Sequence, residues 1–395
     1  MRNNILLLTK DCMPLEALPC YGGCRYWEGK TPNIDALVKK GTKFLRHYTA
    51  GGSTAMSMSA MLTGKYLYEF ESRKFYAKVK YSEYPSIFDT FQQLGYDCHL
   101  IWDKTWFDFG EKYVSEFGDI KKVIYHGVDM DQPTDGHDES VFLNNDDILL
   151  EKTLNEIREA LESIDTTNKN FVWLHLPHII KGRNAYMSDI DVFDTIVGYA
   201  RMKYGDDNIY ISTDHGHMNM HKHIAGYGFH SYEPIIHIPL ITPRLGNCTE
   251  VNQITCNTDI PHILLEDSLP SKHDYVVSET KYYAQPGRVV AIVTDRFKYI
   301  YNASNNKEEL YDLRWDPNEE YNILERCYYD VNRRHTVYYD EHYFYPFKDD
   351  AMSAYQKIIR YKKEIWRELS SSEKRKMKLY NFLKKTKRIL LSLKK

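Results

Sequence analysis

Asp11, Thr54, Asp214 and His215 are the residues of this 395-residue chain best suited to do chemistry together. Carboxylate and imidazole are hard or borderline ligands, and this set suits Mg²⁺, Mn²⁺, Ca²⁺ or Zn²⁺. Thr54 brings a hydroxyl, a poor nucleophile at neutral pH. A divalent cation beside it lowers its pKa and holds it in line for attack. The same cation offsets charge on the oxygens of a transferring phosphoryl or sulfuryl group. His178 and His230 are of the type that binds those oxygens or protonates a leaving group. The alternative for each is a hydrogen-bonded loop histidine.

The elements that must position these groups follow from local pattern. Thr54 stands in Gly51-Gly52-Ser53-Thr54-Ala55-Met56-Ser57-Met58-Ser59-Ala60-Met61-Leu62-Thr63-Gly64. Two glycines permit a tight turn. From Ala55 to Leu62 the residues are small or unbranched at Cβ, which suits a buried helix. Ser53 and Thr54 therefore sit at a helix start, where free N–H groups and the dipole favour an anion. A plain helix cap is the alternative. Asp11 follows Ile5–Thr9, a short apolar run that reads as a buried parallel strand. Thr31–Gly41 reads as a helix with Pro near its start and Gly at its end.

Further along, Pro85–Leu94 reads as a helix and Cys98–Trp102 as a strand, and residues 104–146 as irregular cover. Leu150, Leu154, Ile157 and Leu161 recur at helical spacing. Phe171-Val172-Trp173-Leu174 is a strand that leads to His178, and Ile190, Phe193, Val197 and Ala200 mark a helix. Ile209-Tyr210-Ile211 is a strand that runs directly into Asp214 and His215. Ile235–Ile241 reads as a strand broken by Pro239, and Val289–Thr294 with Phe297–Tyr301 as a hairpin. Strands alternating with helices, with ligand-type residues after the strands, predict an α/β fold with a mostly parallel sheet covered on both faces.

Composition sets outer bounds. An apolar share of 43% supports a sizeable core. Seven cysteines form no disulfide-scaffold pattern, the first residues hold too short an apolar run for a signal peptide, and no run of about 18 apolar residues exists. A cytoplasmic setting is expected, with no nucleic-acid partner. The formal net charge is −3, yet residues 371–395 carry ten Lys and Arg against one Glu. There Leu379, Phe382, Leu383, Thr386, Ile389, Leu390 and Leu393 share a helical face. Such a basic amphipathic helix lies peripherally on an anionic inner membrane surface, packs its apolar face on the body, or contacts a partner protein or a second copy.

Taken together, the chain resembles the sulfatase family of the alkaline phosphatase superfamily over about residues 3–326. The matching pieces are Asn4–Asp11, Tyr21-Gly22, Thr31–Leu37, Leu62-Thr63-Gly64, Gly95-Tyr96, Pro177-His178, Thr213-Asp214-His215-Gly216 and Tyr232-Glu233-Pro234. Asp295–Tyr301 and Glu309–Leu313 match the C-terminal subdomain. Three departures matter. Thr54 stands where a sulfatase carries the cysteine or serine matured to formylglycine. Met56 and Met58 replace the usual proline and arginine, and Lys10 replaces the first of two paired acids. Asp103 falls at the place of the family lysine after Gly-Tyr, and Lys104 lies one residue on.

The motif Thr54-Ala55-Met56-Ser57-Met58 is similar to that of the phosphoethanolamine and phosphoglycerol transferases, which use an unmodified threonine on a metal. The resemblance implies an alkaline-phosphatase-like catalytic domain over 1–285, a small α+β subdomain over 286–330 and a helical basic tail over 331–395. It implies a metal-dependent phosphoesterase or transferase of a substituted phosphoryl group, acting on a small-molecule, glycan or lipid-linked phosphate ester. Thr54 is then the nucleophile, Asp11, Thr54, Asp214 and His215 hold the metal, and His178, His230 and Lys104 contact the substrate. A true sulfatase is one alternative, and a catalytically degenerate binding protein of the same fold is another.

Overall fold

The computed structural model describes residues 2–23, 30–70, 84–103, 120–125, 147–177, 185–218, 222, 224, 226–280, 288–325, 327–330, 335–338, 345–365, 375 and 378. In chain order, the strands that frame the site are β1 (Asn4–Lys10), β2 (Thr42–Phe44), β3 (His47–Tyr48), β4 (Asp97–Asp103), β5 (Lys121–Tyr125), β6 (Asn170–Leu176), β7 (Ile209–Thr213), β8 (Leu240–Thr242), β9 (Glu250–Val251) and β10 (Thr255–Cys256). Eight of them form one sheet in the order β5-β4-β6-β1-β7-β8-β2-β9. β1 pairs in parallel with β6 and with β7, and only β8 runs against its neighbours. β3 and β10 make a separate parallel pair.

The apolar run of β1 is explained by burial on both faces of the sheet. Ile5 and Leu7 pack in a cluster with Met58, Met61, Phe88 and Phe91, from the helices Thr54–Thr63 and Ile87–Gln93. Leu6 and Leu8 pack in a second cluster with Ile157, Leu161, Ile190, Phe193 and Val197, from the helices Asp147–Ser163 and Ala185–Tyr204. Each such side chain fully buried contributes about 1.5–3 kcal/mol. β1 is thus fixed in register from both sides, and the residue after its end, Asp11, is fixed with it. The Asp11 N–H donates to Leu176 O at the end of β6 (2.8 Å), one step beyond the ladder.

The segment Ile235–Ile241 differs from its sequence reading. Glu233–Ile236 is a single helical turn with Pro234 in its first positions, and the strand begins only at Leu240. Proline presets the helical φ and needs no donor there. Ile235 and Ile236 are buried as a helix face, in a cluster that also holds Tyr48 and Ile300.

A second sheet is antiparallel, in the order β11 (Tyr275–Thr280), β12 (Val289–Thr294), β13 (Phe297–Asn302) and β14 (Lys307–Asp312). It takes its first strand from ahead of residue 286, the boundary expected from sequence, which itself falls outside the described residues. The helix Lys348–Ile365 packs Ala351, Ile358 and Ile365 against this sheet. A buried ionic group ties the second sheet to the helical turn Glu233–Ile236: Lys298 Nζ lies 2.7 Å from Glu319 Oε1 and 3.1 Å from Glu233 Oε1. Glu233 also pairs with His237 at 2.8 Å. Burial pushes the Glu233 carboxyl up, but Lys298 and His237 outweigh it and hold the group down to about 2. Among the described residues no helix is long and apolar enough to cross a membrane. The amphipathic tail expected over 371–395 lies outside the described residues apart from Arg375 and Lys378.

Candidate active site

Four segments deliver the site. Asp11 comes from the end of β1 and Asp214 with His215 from the end of β7, the adjacent parallel strand. Thr54 opens the helix Thr54–Thr63. The fourth segment, Cys256–Asp259, braces the others from behind. Side chains at neighbouring carboxyl ends of parallel strands meet in the crevice where open α/β sheets bind ligands.

The turn before Thr54 needs its glycine. A Cβ on Gly51 would lie 2.5 Å from the Met56 Cβ and 2.7 Å from Met56 C, so no other residue fits without shifting the helix. Gly216 is equally constrained, since a Cβ there would lie 2.0 Å from Pro234 O. Behind Thr54 a polar network locks the helix to the metal-type loop. Ser57 Oγ donates to Asp214 O (2.6 Å) and accepts from Asn257 Nδ2 (2.8 Å) and Thr49 Oγ1 (3.0 Å). Asn257 Oδ1 accepts from the Ala50 N–H (2.9 Å), just before the two glycines.

All four sequence-predicted ligands converge. Thr54 Oγ1 lies 3.3 Å from His215 Nε2 and 3.5 Å from Asp11 Oδ1. His215 Nε2 is 3.4 Å from Asp214 Oδ2 and 3.7 Å from Asp11 Oδ1. Every one of these side chains is buried. His215 Nδ1 lies 2.9 Å from Gly216 O. A carbonyl can only accept, so His215 donates through Nδ1, which leaves Nε2 facing two carboxylates. Asp214 Oδ1 accepts from the His215 N–H (2.8 Å) and the Cys12 N–H (3.1 Å), whereas its Oδ2 is buried with no hydrogen-bond partner among the described residues. An acceptor buried in that state costs about 1–3 kcal/mol or more. Burial pushes the Asp214 carboxyl up to about 6, with His215 opposing and Asp11 adding to the rise.

These observations fit a cation. Converging lone pairs with an orphaned carboxylate oxygen are what a divalent ion neutralises. Thr54 Oγ1, Asp11 Oδ1 and Asp214 Oδ2 each lie 3.3–3.7 Å from His215 Nε2, a spacing that ligands sharing one ion can adopt. Lys10 is excluded from this set. Its ammonium, with no exposed surface, pairs with Asp189 at 3.5 Å and donates to Asp11 O at 2.8 Å. It sits on the opposite face of β1, with Leu6 and Leu8, so its charge is committed behind the site. Met58 is packed in the core and supplies nothing to the site.

The remaining expected contacts divide. His178 and Lys104 lie outside the described residues, as do His221 and His223. His230 stacks on Tyr232 (5.2 Å between rings, 20°) and forms no hydrogen bond to the Thr54 group among the described residues. Burial pushes its pKa down, with Glu309 opposing and Lys222 adding to the fall. Cys12, which sequence reading did not single out, joins the group: Asp11, Cys12 and His215 each offer a ligand atom within 4.8 Å of the others. Its Sγ is 3.5 Å from His215 Nδ1, on the ring's far side from Thr54, and its backbone is left-handed at φ 57°. Burial pushes its thiol well above the ordinary range. The Tyr227 ring covers His215 at 4.4 Å.

Residues 3–234 match the family model "Sulfatase". Among solved structures, a 2-O GAG sulfatase is similar at 14% identity and a TM-score of 0.66, over 92% of each chain. The phosphonate monoester hydrolase of Agrobacterium radiobacter is similar at 16% identity and a TM-score of 0.64, over 94% of this chain and 99% of that one. A protein solved in complex with its substrate D-glucosamine-2-N,6-O-disulfate is similar at 16% identity and 0.65, over 92% and 98%. At these identities the likeness establishes the fold. No curated protein sequence matches the chain.

Proposed function

The chain belongs to the sulfatase family and is an ester hydrolase of that family; from this premise we propose that it acts on phosphate esters through Thr54. The observation that carries this reading is a threonine hydroxyl 3.3–3.5 Å from two ligand-type atoms at the start of a buried helix. Threonine cannot be matured to formylglycine, so no aldehyde hydrate is available to expel sulfate. Enzymes of this family are generally metal-dependent. Asp11, Thr54, Asp214 and His215 would hold a divalent cation, which lowers the pKa of the threonine hydroxyl and offsets charge on the transferring group.

The chain's own residues then do the rest. His215 Nδ1 is fixed on Gly216 O and Asp214 Oδ1 on two backbone amides, so the groups around Thr54 are held in place. Thr54 Oγ1 gives up its proton to solvent and attacks phosphorus. The Thr54 O–P bond forms as the bond from phosphorus to the leaving oxygen breaks, and the electron pair departs with that oxygen. His178 and His230 are assigned to the phosphoryl oxygens and the leaving group, and Lys104 to substrate charge. Water then attacks phosphorus, the Thr54 O–P bond breaks, and a proton returns to Thr54 Oγ1. An acceptor alcohol in place of water makes the same site a transferase. The neighbours acting on sulfated sugars support a glycan-borne ester as substrate.

A panel of an aryl phosphate, an aryl phosphodiester and an aryl sulfate, run on metal-loaded protein, tests this reading. We expect kcat/KM on one of the phosphorus esters to exceed that on the sulfate by at least about 100-fold, a difference of roughly 2.7 kcal/mol in the barrier. Faster sulfate release would assign the chain to sulfate ester hydrolysis instead.

A further inference from the structure

We propose that Tyr227 is a positioning residue for the metal site: its ring is the wall that holds the His215 imidazole in the plane from which Nε2 meets the cation. The inference rests on the reading of His215 as a metal ligand and adds a residue outside the ligand set. The Tyr227 ring lies 4.4 Å from the His215 ring at 32°, and 6.2 Å from the His217 ring at 59°. His215 is fully buried, whereas Tyr227 is half-buried. The phenol covers a ring that solvent does not reach.

The other contacts of His215 act within the plane of its ring. Nδ1 lies 2.9 Å from Gly216 O and 3.5 Å from Cys12 Sγ, and Nε2 lies 3.3–3.7 Å from Thr54 Oγ1, Asp214 Oδ2 and Asp11 Oδ1. The N–H bond and the lone pair of an imidazole point outward in the ring plane, and hydrogen bonds and metal bonds follow those directions. Such contacts resist rotation within the plane better than a tilt out of it. A tilt is resisted by atoms packed on a face. Among the described residues Tyr227 supplies the only ring packed on His215. Removing an outer partner that orients a metal ligand costs about 10–100-fold in metal affinity.

The chain is shaped to present this ring. Gly226 and Gly228 flank Tyr227, and both are left-handed, at φ 95° and 83°. Side chains other than hydrogen are strained there, so glycine on each side lets the backbone turn into and out of the tyrosine. At Gly226 the space is closed as well, because a Cβ would lie 3.1 Å from Phe229 Cζ. The segment is tied on both sides of the ring. The Met218 N–H donates to Gly226 O (3.1 Å), which joins it to the loop that carries His215. Beyond it, His230 stacks on Tyr232, whose hydroxyl donates to Glu309 Oε2 (2.9 Å) on β14. The two tethers fix where the Tyr227 ring falls.

The test uses the full-length protein, stripped with a chelator and titrated with Zn²⁺ in competition with a chromophoric chelator. The proteins are the wild type, Tyr227→Phe, Tyr227→Leu, Tyr227→Ala and Asp214→Asn, each also melted without metal. The expected result is a Kd for Zn²⁺ raised about 10–100-fold in Tyr227→Ala and Tyr227→Leu and nearly unchanged in Tyr227→Phe, with the metal-free melting temperature of Tyr227→Leu close to that of the wild type. Leucine keeps apolar bulk without a flat face, so the comparison holds even where alanine does not fold. Wild-type zinc affinity in Tyr227→Leu, with Asp214→Asn weakened, would overturn the positioning role and leave the metal site standing. A rise in Kd only where the metal-free melting temperature also falls would assign the ring to stability and overturn the proposal. An equal loss in Tyr227→Phe would assign the effect to the hydroxyl and overturn it too. A wild type that binds zinc no better than Asp214→Asn would overturn the metal site and the proposal with it.

Discussion

Thr54→Ala lowers kcat by roughly 10⁴-fold or more, the scale seen when a covalent nucleophile is removed while the rest of a site remains. The expected cause is specific. Thr54 Oγ1 is the one hydroxyl placed between His215 Nε2 and Asp11 Oδ1, and no neighbouring hydroxyl among the described residues shares those two contacts. Ser53 precedes it with an extended backbone, and Ser57 donates to Asp214 O behind the helix. Neither takes over. The substitution removes a hydroxyl and a methyl group from the first position of a helix that the Ser57–Asn257 network already holds, so stability changes by about 1 kcal/mol or less. Purified variant and wild type are compared by thermal melting and by turnover at equal metal content. A folded variant that retains near-normal turnover removes Thr54 from the mechanism.

The second large effect is on metal retention. Asp214→Asn keeps the Oδ1 acceptor that serves the His215 and Cys12 amides, and removes the charge presented by Oδ2. Loss even of a group that only orients a metal ligand costs about 10–100-fold in affinity, and loss of a ligand's charge exceeds that. The variant is therefore expected to lose its metal on dialysis that leaves the wild type loaded, as measured by elemental analysis. Chelation of the wild type is expected to abolish turnover, and to lower its melting temperature because a bound ion stabilises the state that binds it. Full activity after chelation, with no metal detectable, would rule the mechanism out.

These expectations trace back to how much of the site was legible in the chain. Asp11, Asp214 and His215 were legible because each follows a short apolar strand, and parallel strands present their ends together. Thr54 was legible because glycines and small residues mark a turn entering a buried helix. The supporting shell was not. Asn257 reaches Ser57 and Thr49 from about 200 residues away in sequence, and a lone asparagine carries no periodic signal of that role. Lys10 was legible only as a replacement for the first of two paired acids, and nothing in the sequence marks its buried pairing with Asp189 on a distant helix. Cys12 enters the group through a left-handed backbone that favours glycine and is unmarked in the sequence. The apolar pattern of Ile235–Ile241 fitted a strand as well as a helical turn, and Pro234 decided for the turn.

The most direct test of the central claim is to quench metal-loaded enzyme during turnover of an aryl phosphodiester and map covalent phosphorus by peptide mass spectrometry. The account predicts a phosphoryl adduct on the peptide containing Thr54, localised to that residue and absent from Thr54→Ala. Turnover with the adduct on another residue, or with no covalent adduct under conditions that trap one in a known phosphothreonine enzyme, would contradict it.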